Sequence, residues 1–197
     1  MKKCKLIIPD AGPLNSFCAA KALDLLLLPN LPIVIVDAVY DEVTSDVSFP
    51  KDREIKDFIY KHLGTKIFIE ETFIGQMARE KRAAGTFKTG EDIGEQAVVG
   101  FLSSKIKRYV EDEQPYVLLY EDCDLLKIPK PDFVHMVSTV AFLRRLEEAH
   151  LIPSADEVIF AMEHPKSAEV KGRILNDLPD GTEIEAEGGS YFCPSPK

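Results

Sequence analysis

The sequence predicts a three-layer α/β fold, in which a central parallel sheet of about five strands is flanked by helices. Short runs of apolar, largely β-branched residues such as Ile33-Val34-Ile35-Val36 recur along the chain, and each has the length of a strand. Because these runs do not alternate with polar residues, they indicate strands that are covered on both faces. Segments with helical spacing separate them, and strands that alternate with helices form parallel sheets through right-handed crossovers.

The individual elements follow from these patterns in chain order. The predicted strands cover residues 6–9, 33–36, 66–69, 116–120 and, for a shorter fifth strand, 133–137. The predicted helices cover residues 14–28, 37–44, 51–63, 77–84, 91–108, 139–150 and 155–163. Gly64 is expected to end the third helix. Ser154 and Glu157 have the capping-box spacing expected at the start of the last helix.

The composition changes near Pro165, and we place a domain boundary there. Residues 1–164 carry the strand and helix patterns of one domain, and the 197-residue chain has room for one such domain plus an extension. Residues 165–197 contain glycines and late prolines among acidic residues, which include Asp177, Asp180, Glu183, Glu185 and Glu187. This composition predicts an acidic, extended or flexible C-terminal extension.

The apolar segments are too short for a membrane protein. The strongest apolar run, residues 22–28, is far shorter than a membrane span and includes Asp24. Asp10 and Pro13 interrupt the N-terminal apolar run before it could form a signal-peptide core. The four cysteines have neither zinc-site nor redox-pair spacing, which favours reduced structural thiols. We therefore expect a cytoplasmic protein without membrane contact.

The formal net charge of −9 limits the classes of partner. Strong non-specific nucleic-acid binding needs a surface that neutralises phosphates, so this charge argues against that class. A nuclease remains open, because divalent ions would offset clustered carboxylates. The charge also leaves room for a basic protein partner.

Acidic residues follow the predicted strands at the ends where parallel α/β sheets bind ligands. Asp10 follows the first strand, Glu42 lies in the helix after the second, and Asp122 and Asp124 follow the fourth. Glu95 lies near the start of the helix before the fourth strand. Converging carboxylates repel one another unless a cation lies among them, and oxygen ligands favour Mg²⁺ or Mn²⁺. The sequence thus predicts a metal site suited to phosphodiester hydrolysis.

Each of these residues also has a simpler explanation. Asp10 alone is a helix N-cap or turn residue, and Glu42 alone is an exposed helix charge. The macrodipole favours a carboxylate such as Glu95 near a helix N-terminus, and Asp122 could cap a short helix. Only the joint placement of these residues at one sheet edge favours the metal site.

A basic stretch before the fourth strand has two interpretations. It comprises Arg79, Lys81, Arg82 and Lys88. Such a stretch is most simply a solvated helix face. The functional interpretation is a clamp on an RNA backbone.

Four motifs of the sequence occur together in a known nuclease family. They are Ile8-Pro9-Asp10-Ala11-Gly12-Pro13-Leu14, Val36-Asp37-Ala38-Val39-Tyr40-Asp41-Glu42-Val43, Gly94-Glu95-Gln96-Ala97-Val98 and Leu118-Leu119-Tyr120-Glu121-Asp122-Cys123-Asp124. With them, residues 6–162 resemble the PIN-domain ribonucleases, a family that includes the toxin nucleases of bacterial toxin–antitoxin pairs. The segment 137–159 is similar to the late helices of one branch of that family.

The resemblance implies a function for the acidic residues. It implies a quartet that holds Mg²⁺ or Mn²⁺, namely Asp10, Glu42, Glu95 and Asp122. Asp124 would be an auxiliary metal ligand, and Asn15 would orient a ligand or water. The resemblance further implies that residues 1–164 form a PIN-like nuclease domain that cleaves RNA. A homodimer and an antitoxin partner that can block the site are also implied.

The sequence departs from the family at the end of the fourth strand. Tyr120 and Glu121 precede Asp122 where the family often has Thr or Ser leading into Asp. The choice of ligand among Glu121, Asp122 and Asp124 is therefore open.

Two other functions compete with the ribonuclease. One is a catalytically silent PIN-like binding or scaffold protein that acts through partner contacts. The other is a phosphatase-like hydrolase with Asp10 as nucleophile. That class expects an aspartate two residues later, and Gly12 occupies that position.

Overall fold

The computed structural model describes residues 4–87, 93–110, 114–122, 125 and 133–164. Its strands are β1 (Ile7–Pro9), β2 (Ile33–Val36), β3 (Ile67–Glu70), β4 (Tyr116–Tyr120) and β5 (Val134–Ser138). Its helices are α1 (Ala11–Ala19), α2 (Asp37–Val43), α3 (Pro50–His62), α4 (Phe73–Ala83), α5 (Ile93–Ser104), α6 (Thr139–Glu148) and α7 (Ala155–Glu163). The predicted fold class is confirmed, because these five strands form one parallel sheet that the helices flank in three layers.

The apolar runs of the sequence form the centre of the sheet. Every residue of β2 and of β4 is buried, as expected for parallel strands that are covered on both faces. Aromatic side chains pack the helices together around this sheet. Phe17 of α1 meets Phe142 of α6 edge to face, with ring centroids 5.8 Å apart. The continuous apolar runs of the sequence therefore correctly indicated a central sheet that is covered by helices on both faces.

The sheet order places β1 next to the point where the strand order reverses. The strands lie in the order β3-β2-β1-β4-β5, so the chain moves outward from β1 on one side and then returns to its other side. Pro9 is opposite Leu119 in the ladder, and the N–H of Asp10 donates to the Leu119 carbonyl at 2.9 Å. Such a reversal point is the usual ligand site of an open parallel sheet, at the carboxyl ends of the strands.

The prediction of a helix over residues 14–28 is wrong. Helix α1 begins earlier and ends at Ala19, and a short 3₁₀ helix then covers Leu23–Leu27. Lys21 lies between them in the left-handed region, at φ +56°. The Ala22 N–H donates to the Phe17 carbonyl at 2.8 Å, and the Lys21 N–H donates to the Cys18 carbonyl at 3.0 Å. These two bonds close a Schellman turn. The sequence did not signal this turn, because a lysine stands where glycine is usual.

Helix α4 begins four residues before the predicted start at 77, because Thr72 caps it. The Thr72 hydroxyl accepts a hydrogen bond from the Gly75 N–H at 2.9 Å. The predicted helix 91–108 is divided into α5 and a short 3₁₀ helix, Ile106–Arg108, and its first two residues lie outside the described ones.

Two predicted helix boundaries are confirmed. Gly64 follows α3 with φ +75°, a conformation that glycine adopts without strain. The Ser154 hydroxyl accepts from the Glu157 N–H at 3.3 Å at the start of α7.

Two sequence-based expectations about the chain as a whole remain predictions. Residues 165–197 lie outside the described ranges, so the acidic extension and the boundary at 164 are not tested. Among the described helices, none is long and apolar enough to cross a bilayer. The expected cytoplasmic location is likewise untested.

Candidate metal centre

Asp10 lies at the carboxyl end of β1, in the N-cap position of α1. Its backbone is extended, with φ −81° and ψ 176°, and its side chain makes no capping hydrogen bond. The residue is only 7% exposed. A side-chain cap therefore does not explain Asp10.

Asp10 and Glu42 both lie close to Gly94. Helix α2 starts directly after β2 and carries Glu42, while Gly94 lies in the first turn of α5. A methyl group at Gly94 would lie 3.4 Å from Glu42 Oε2 and 3.9 Å from Asp10 Oδ1. The two carboxylates thus approach the same point on α5. Glu95, the next residue of α5, is half-buried at the same helix start.

The remaining carboxylates lie after β4. Asp122 is half-buried, two residues beyond the end of that strand. Its neighbour Glu121 is 4% exposed. Glu121 accepts hydrogen bonds from Ser16 Oγ at 2.9 Å and from Thr139 Oγ1 at 2.7 Å, one on each carboxylate oxygen. Asp124 lies outside the described residues. Glu121 is thus held between α1 and α6, and Asp122 is the more exposed of the two carboxylates.

Asn15 presents a buried polar atom on α1. Its Oδ1 is shielded from solvent and has no hydrogen-bond partner among the described residues. Buried side-chain oxygens are usually hydrogen-bonded, and an exception needs an explanation such as a water or ion. Asn15 was predicted to orient a ligand or water, and this atom could accept such a hydrogen bond.

The donor set fits a hydrated Mg²⁺ or Mn²⁺ ion. Carboxylate and amide oxygens are the ligands these ions prefer. Within the described part of the chain, no three His, Cys, Asp or Glu side chains are grouped closely enough to hold a metal ion. Mg²⁺ usually keeps several waters and binds through one or two carboxylates plus substrate phosphates. Asp10 and Glu42 could supply those two carboxylates, with Glu95 and Asp122 contacting the ion's waters.

Another buried carboxylate at a strand end, Asp37, was not recognised as a site residue in the sequence. It is 2% exposed, and its Oδ1 accepts hydrogen bonds from the Thr72 N–H at 3.0 Å and the Thr72 hydroxyl at 2.7 Å. Arg79 Nη1 lies 2.8 Å from Asp37 Oδ2 as an ion pair, and it donates a hydrogen bond to Asp41 Oδ2 at 3.2 Å. Asp37 thus joins the start of α2 to α4. The sequence did contain a signal for this residue, because Asp37 follows strand β2 directly, just as Asp10 follows strand β1.

An open cavity of about 510 Å³ lies beside Glu42. Its lining residues are Asp41, Glu42, Thr44, Ser45, Arg79 and Arg82. Arg82 lies over the Phe87 ring, 4.6 Å from its centroid, and its nearest oxygen on Asp41 is 3.8 Å away. Arg79 is held by two aspartates, so Arg82 is the better candidate for a phosphate contact. Lys88, the last residue of the predicted clamp, lies outside the described residues.

No family model, curated protein or solved structure matches the chain. The resemblance to PIN-domain ribonucleases therefore stays a prediction that depends on the motifs themselves.

Proposed function

We propose that the protein is an endoribonuclease that hydrolyses RNA phosphodiester bonds with Mg²⁺ or Mn²⁺. The observation that carries the proposal is that Asp10 and Glu42 both lie close to Gly94, at the strand ends beside the reversal point. Asp10 is buried there without a capping role. The motif resemblance supports the same residues.

The proposed chemistry needs little from the protein beyond side-chain oxygen atoms that hold a metal ion and its waters in position. A bound divalent ion would activate water and offset charge on the phosphate in the transition state. Asp10 and Glu42 would hold that ion, and Glu95 and Asp122 would accept hydrogen bonds from its waters. Asn15 Oδ1 would orient one such water. No histidine is assigned to proton transfer.

Arg82 is proposed to contact the RNA backbone in the cavity next to Glu42. Glu42 belongs to both the carboxylate pair and the cavity wall, so a strand that binds at the pair would extend past Arg82. A toxin-like role, a homodimer, an antitoxin partner and a cytoplasmic location are further parts of the proposal, and they depend on the resemblance alone.

The activity is tested by cleavage of single-stranded and structured RNA with added Mn²⁺. We expect cleavage by the wild type and its loss in Asp10→Asn, which keeps the size of the side chain but removes its charge. Asp24→Asn is the control, because Asp24 is an exposed aspartate whose side chain is 78% accessible. Equal cleavage by the wild type and Asp10→Asn would refute the assignment.

The contact by Arg82 is tested through substrate affinity. Arg82→Ala should raise KM about tenfold, since a hydrogen bond to a charged group contributes about 1.5–3 kcal/mol, and kcat should change little. The slope of log binding affinity against log salt concentration should become shallower by about 1, as expected for the loss of one phosphate contact. Arg145→Ala is the matched control, because Arg145 pairs with Glu148 on α6. An unchanged KM in Arg82→Ala would exclude this contact.

A catalytically silent scaffold is the second candidate. It is favoured by the lack of a group of three metal-binding side chains in the described residues. The apolar side chains of Phe73 and Met77, 73% and 39% exposed one turn apart on α4, could serve as partner contacts.

Partner binding distinguishes the scaffold from the enzyme. The scaffold predicts no metal-dependent cleavage of any RNA and a stable complex that needs residues 165–197, with Phe73 and Met77 as additional contacts. Deletion of 165–197 with unchanged partner binding would count against it.

A further inference from the structure

Glu121 connects three elements through a buried carboxylate. It follows β4 directly, and its two oxygens accept hydrogen bonds from Ser16 of α1 and Thr139 of α6. Ser16 and Thr139 are themselves buried, at 5% and 0% exposed. Hydroxyl donors of this kind offset part of the desolvation of a buried carboxylate. Two helices, α1 before β4 in the sequence and α6 after it, therefore hold the chain just after β4 in place.

Gly12 makes this arrangement possible by leaving space for Glu121. A methyl group at Gly12 would lie 2.9 Å from Glu121 Cβ and 3.1 Å from its Oε2. The first of these distances is shorter than real side-chain contacts allow. Gly12 and Ser16 are four residues apart on α1, so they lie on one face of that helix. Both face Glu121.

The three residues adjoin the candidate metal ligands along the chain. Glu121 immediately precedes Asp122, Gly12 lies two residues after Asp10, and Ser16 follows Asn15. A movement of Glu121 would therefore shift the segment that carries Asp122 relative to the helix that begins at Asp10. Groups that hydrogen-bond to metal ligands typically affect metal affinity by about 10–100-fold, and Glu121 would act on Asp122 through the peptide bond that joins them.

We infer that Glu121, held by Ser16 and Thr139, is a positioning residue that sets the distance between Asp10 and Asp122. It acts through the segment after β4, where its two oxygens accept hydrogen bonds from hydroxyls of α1 and α6. This inference rests on the proposed metal-dependent function. It adds Ser16, Thr139 and Glu121 to the residues on which metal affinity depends.

Thr139 offers the sharpest test, because valine has nearly its shape and lacks its hydroxyl. We expect Thr139→Val to weaken Mn²⁺ binding, measured by isothermal titration of the full chain, by about tenfold or more. Thr139→Ser restores the donor and should bind Mn²⁺ close to the wild-type affinity. At low Mn²⁺ concentration, Thr139→Val should lower kcat while KM for RNA stays unchanged.

Thr72→Val is the matched control for loss of stability. Thr72 is also a buried hydroxyl that donates to a buried aspartate, Asp37, at a neighbouring strand end. We expect Thr72→Val to unfold at lower urea concentration and yet to keep the wild-type Mn²⁺ affinity. If Thr139→Val does not fold, Ser16→Ala removes the other donor to Glu121 and should weaken Mn²⁺ binding in the same way.

The outcomes separate this inference from the proposed function. Wild-type Mn²⁺ affinity in folded Thr139→Val or Ser16→Ala would overturn the inference, provided that Asp10→Asn abolishes binding. If the wild type binds no Mn²⁺, or if Asp10→Asn binds it as well as the wild type does, the proposed metal site itself fails. Equal weakening in Thr72→Val and Thr139→Val would indicate a general effect of stability and would also overturn the inference.

Discussion

At the scale of single residues, three helix glycines let carboxylates approach the backbone closely. They are Gly12 beside Glu121, Gly75 beside Asp37, and Gly94 beside Glu42 and Asp10. A methyl group would overlap the carboxylate at Gly12 and Gly75, where the nearest atoms would be 2.9 Å and 2.3 Å away. At Gly94 the nearest atom would be at 3.4 Å, which is an ordinary contact. We therefore expect alanine to disturb the packing at Gly12 and Gly75 but to fit at Gly94.

Gly94→Ala should impair the metal site without unfolding the protein. The methyl group fits sterically but would lie within 4 Å of oxygens of both Asp10 and Glu42, where it would exclude waters of a bound ion. We expect wild-type thermal stability with weaker Mn²⁺ binding and slower RNA cleavage. Gly100→Ala on the same helix is the control, since its methyl group would meet only Ile74, at 4.0 Å. Full activity of Gly94→Ala would argue against an ion between the two carboxylates.

The individual carboxylates could be predicted from the sequence, but their contacts could not. Asp10 and Asp122 were recognised because they follow apolar strand-length runs. The hydrogen bonds from Ser16 and Thr139 to Glu121 join residues 105 and 18 positions apart. Local patterns carry no information about such pairs. The closeness of Asp10 to Glu42 likewise depends on where α5 packs.

At the scale of elements, Asp37 and Arg79 join α2 to α4 beside the candidate site. Asp37 bonds to its own helix at the Ala38 N–H, 3.0 Å away, and to Thr72 before α4. Arg79 then contacts both Asp37 and Asp41 from α4. This ion pair therefore ties α4 to the start of α2.

Gly75→Ala should destabilise the fold through this junction. A methyl group at Gly75 would lie 2.3 Å from the carboxyl group of Asp37, so α4 would have to move away from α2. Overpacking of this kind costs about 1–3 kcal/mol, and we expect the upper end of that range in urea unfolding. Gly100→Ala should instead be neutral or stabilise by up to about 1 kcal/mol, as the helix propensities predict. Unchanged stability of Gly75→Ala would show that the junction can relax.

Element boundaries were predicted well where the chain uses common signals and poorly where it does not. Gly64 and Ser154 ended and began helices as expected. The end of α1 was missed because Lys21 adopts the left-handed conformation that glycine usually supplies. The early start of α4 was missed because Thr72 is a cap followed by a phenylalanine, without the acidic residue that marks a capping box.

At the scale of the whole molecule, the five parallel strands could be predicted because most of the apolar runs are continuous; His135 interrupts only the fifth. Buried strands need no alternation, so the run length and the helices between them were sufficient. The same core contains two buried cysteines, Cys4 and Cys18. Burial raises the pKa of the Cys4 thiol from 9.0 to about 11, and it raises that of Cys18 to about 11 as well. Both thiols are therefore neutral in the folded protein near physiological pH.

The buried thiols predict a loss of stability at alkaline pH. In the unfolded chain these thiols ionise near pH 9, while in the folded protein they hold their protons to about pH 11. The folded state thus binds more protons between these values, and the free energy of unfolding should fall as pH rises from 9 to 11. The slope is on the order of 1 kcal/mol per pH unit for each thiol.

Urea unfolding between pH 7 and pH 11 measures this effect. Burial also raises the pKa of the Tyr116 hydroxyl, so part of the decline should remain without the thiols. The variant with both Cys4→Ala and Cys18→Ala should show a flatter decline above pH 9. Profiles of equal slope would contradict buried neutral thiols as the cause.

The central claim is that Asp10 and Glu42 together hold a divalent ion at the carboxyl edge of the sheet. Anomalous diffraction from crystals soaked in Mn²⁺ tests this claim most directly. We expect a peak within coordination distance of carboxylate oxygens from both residues, and its loss in crystals of Asp10→Asn. Crystals of the wild type without a peak there, at a Mn²⁺ concentration that supports RNA cleavage, would contradict the account.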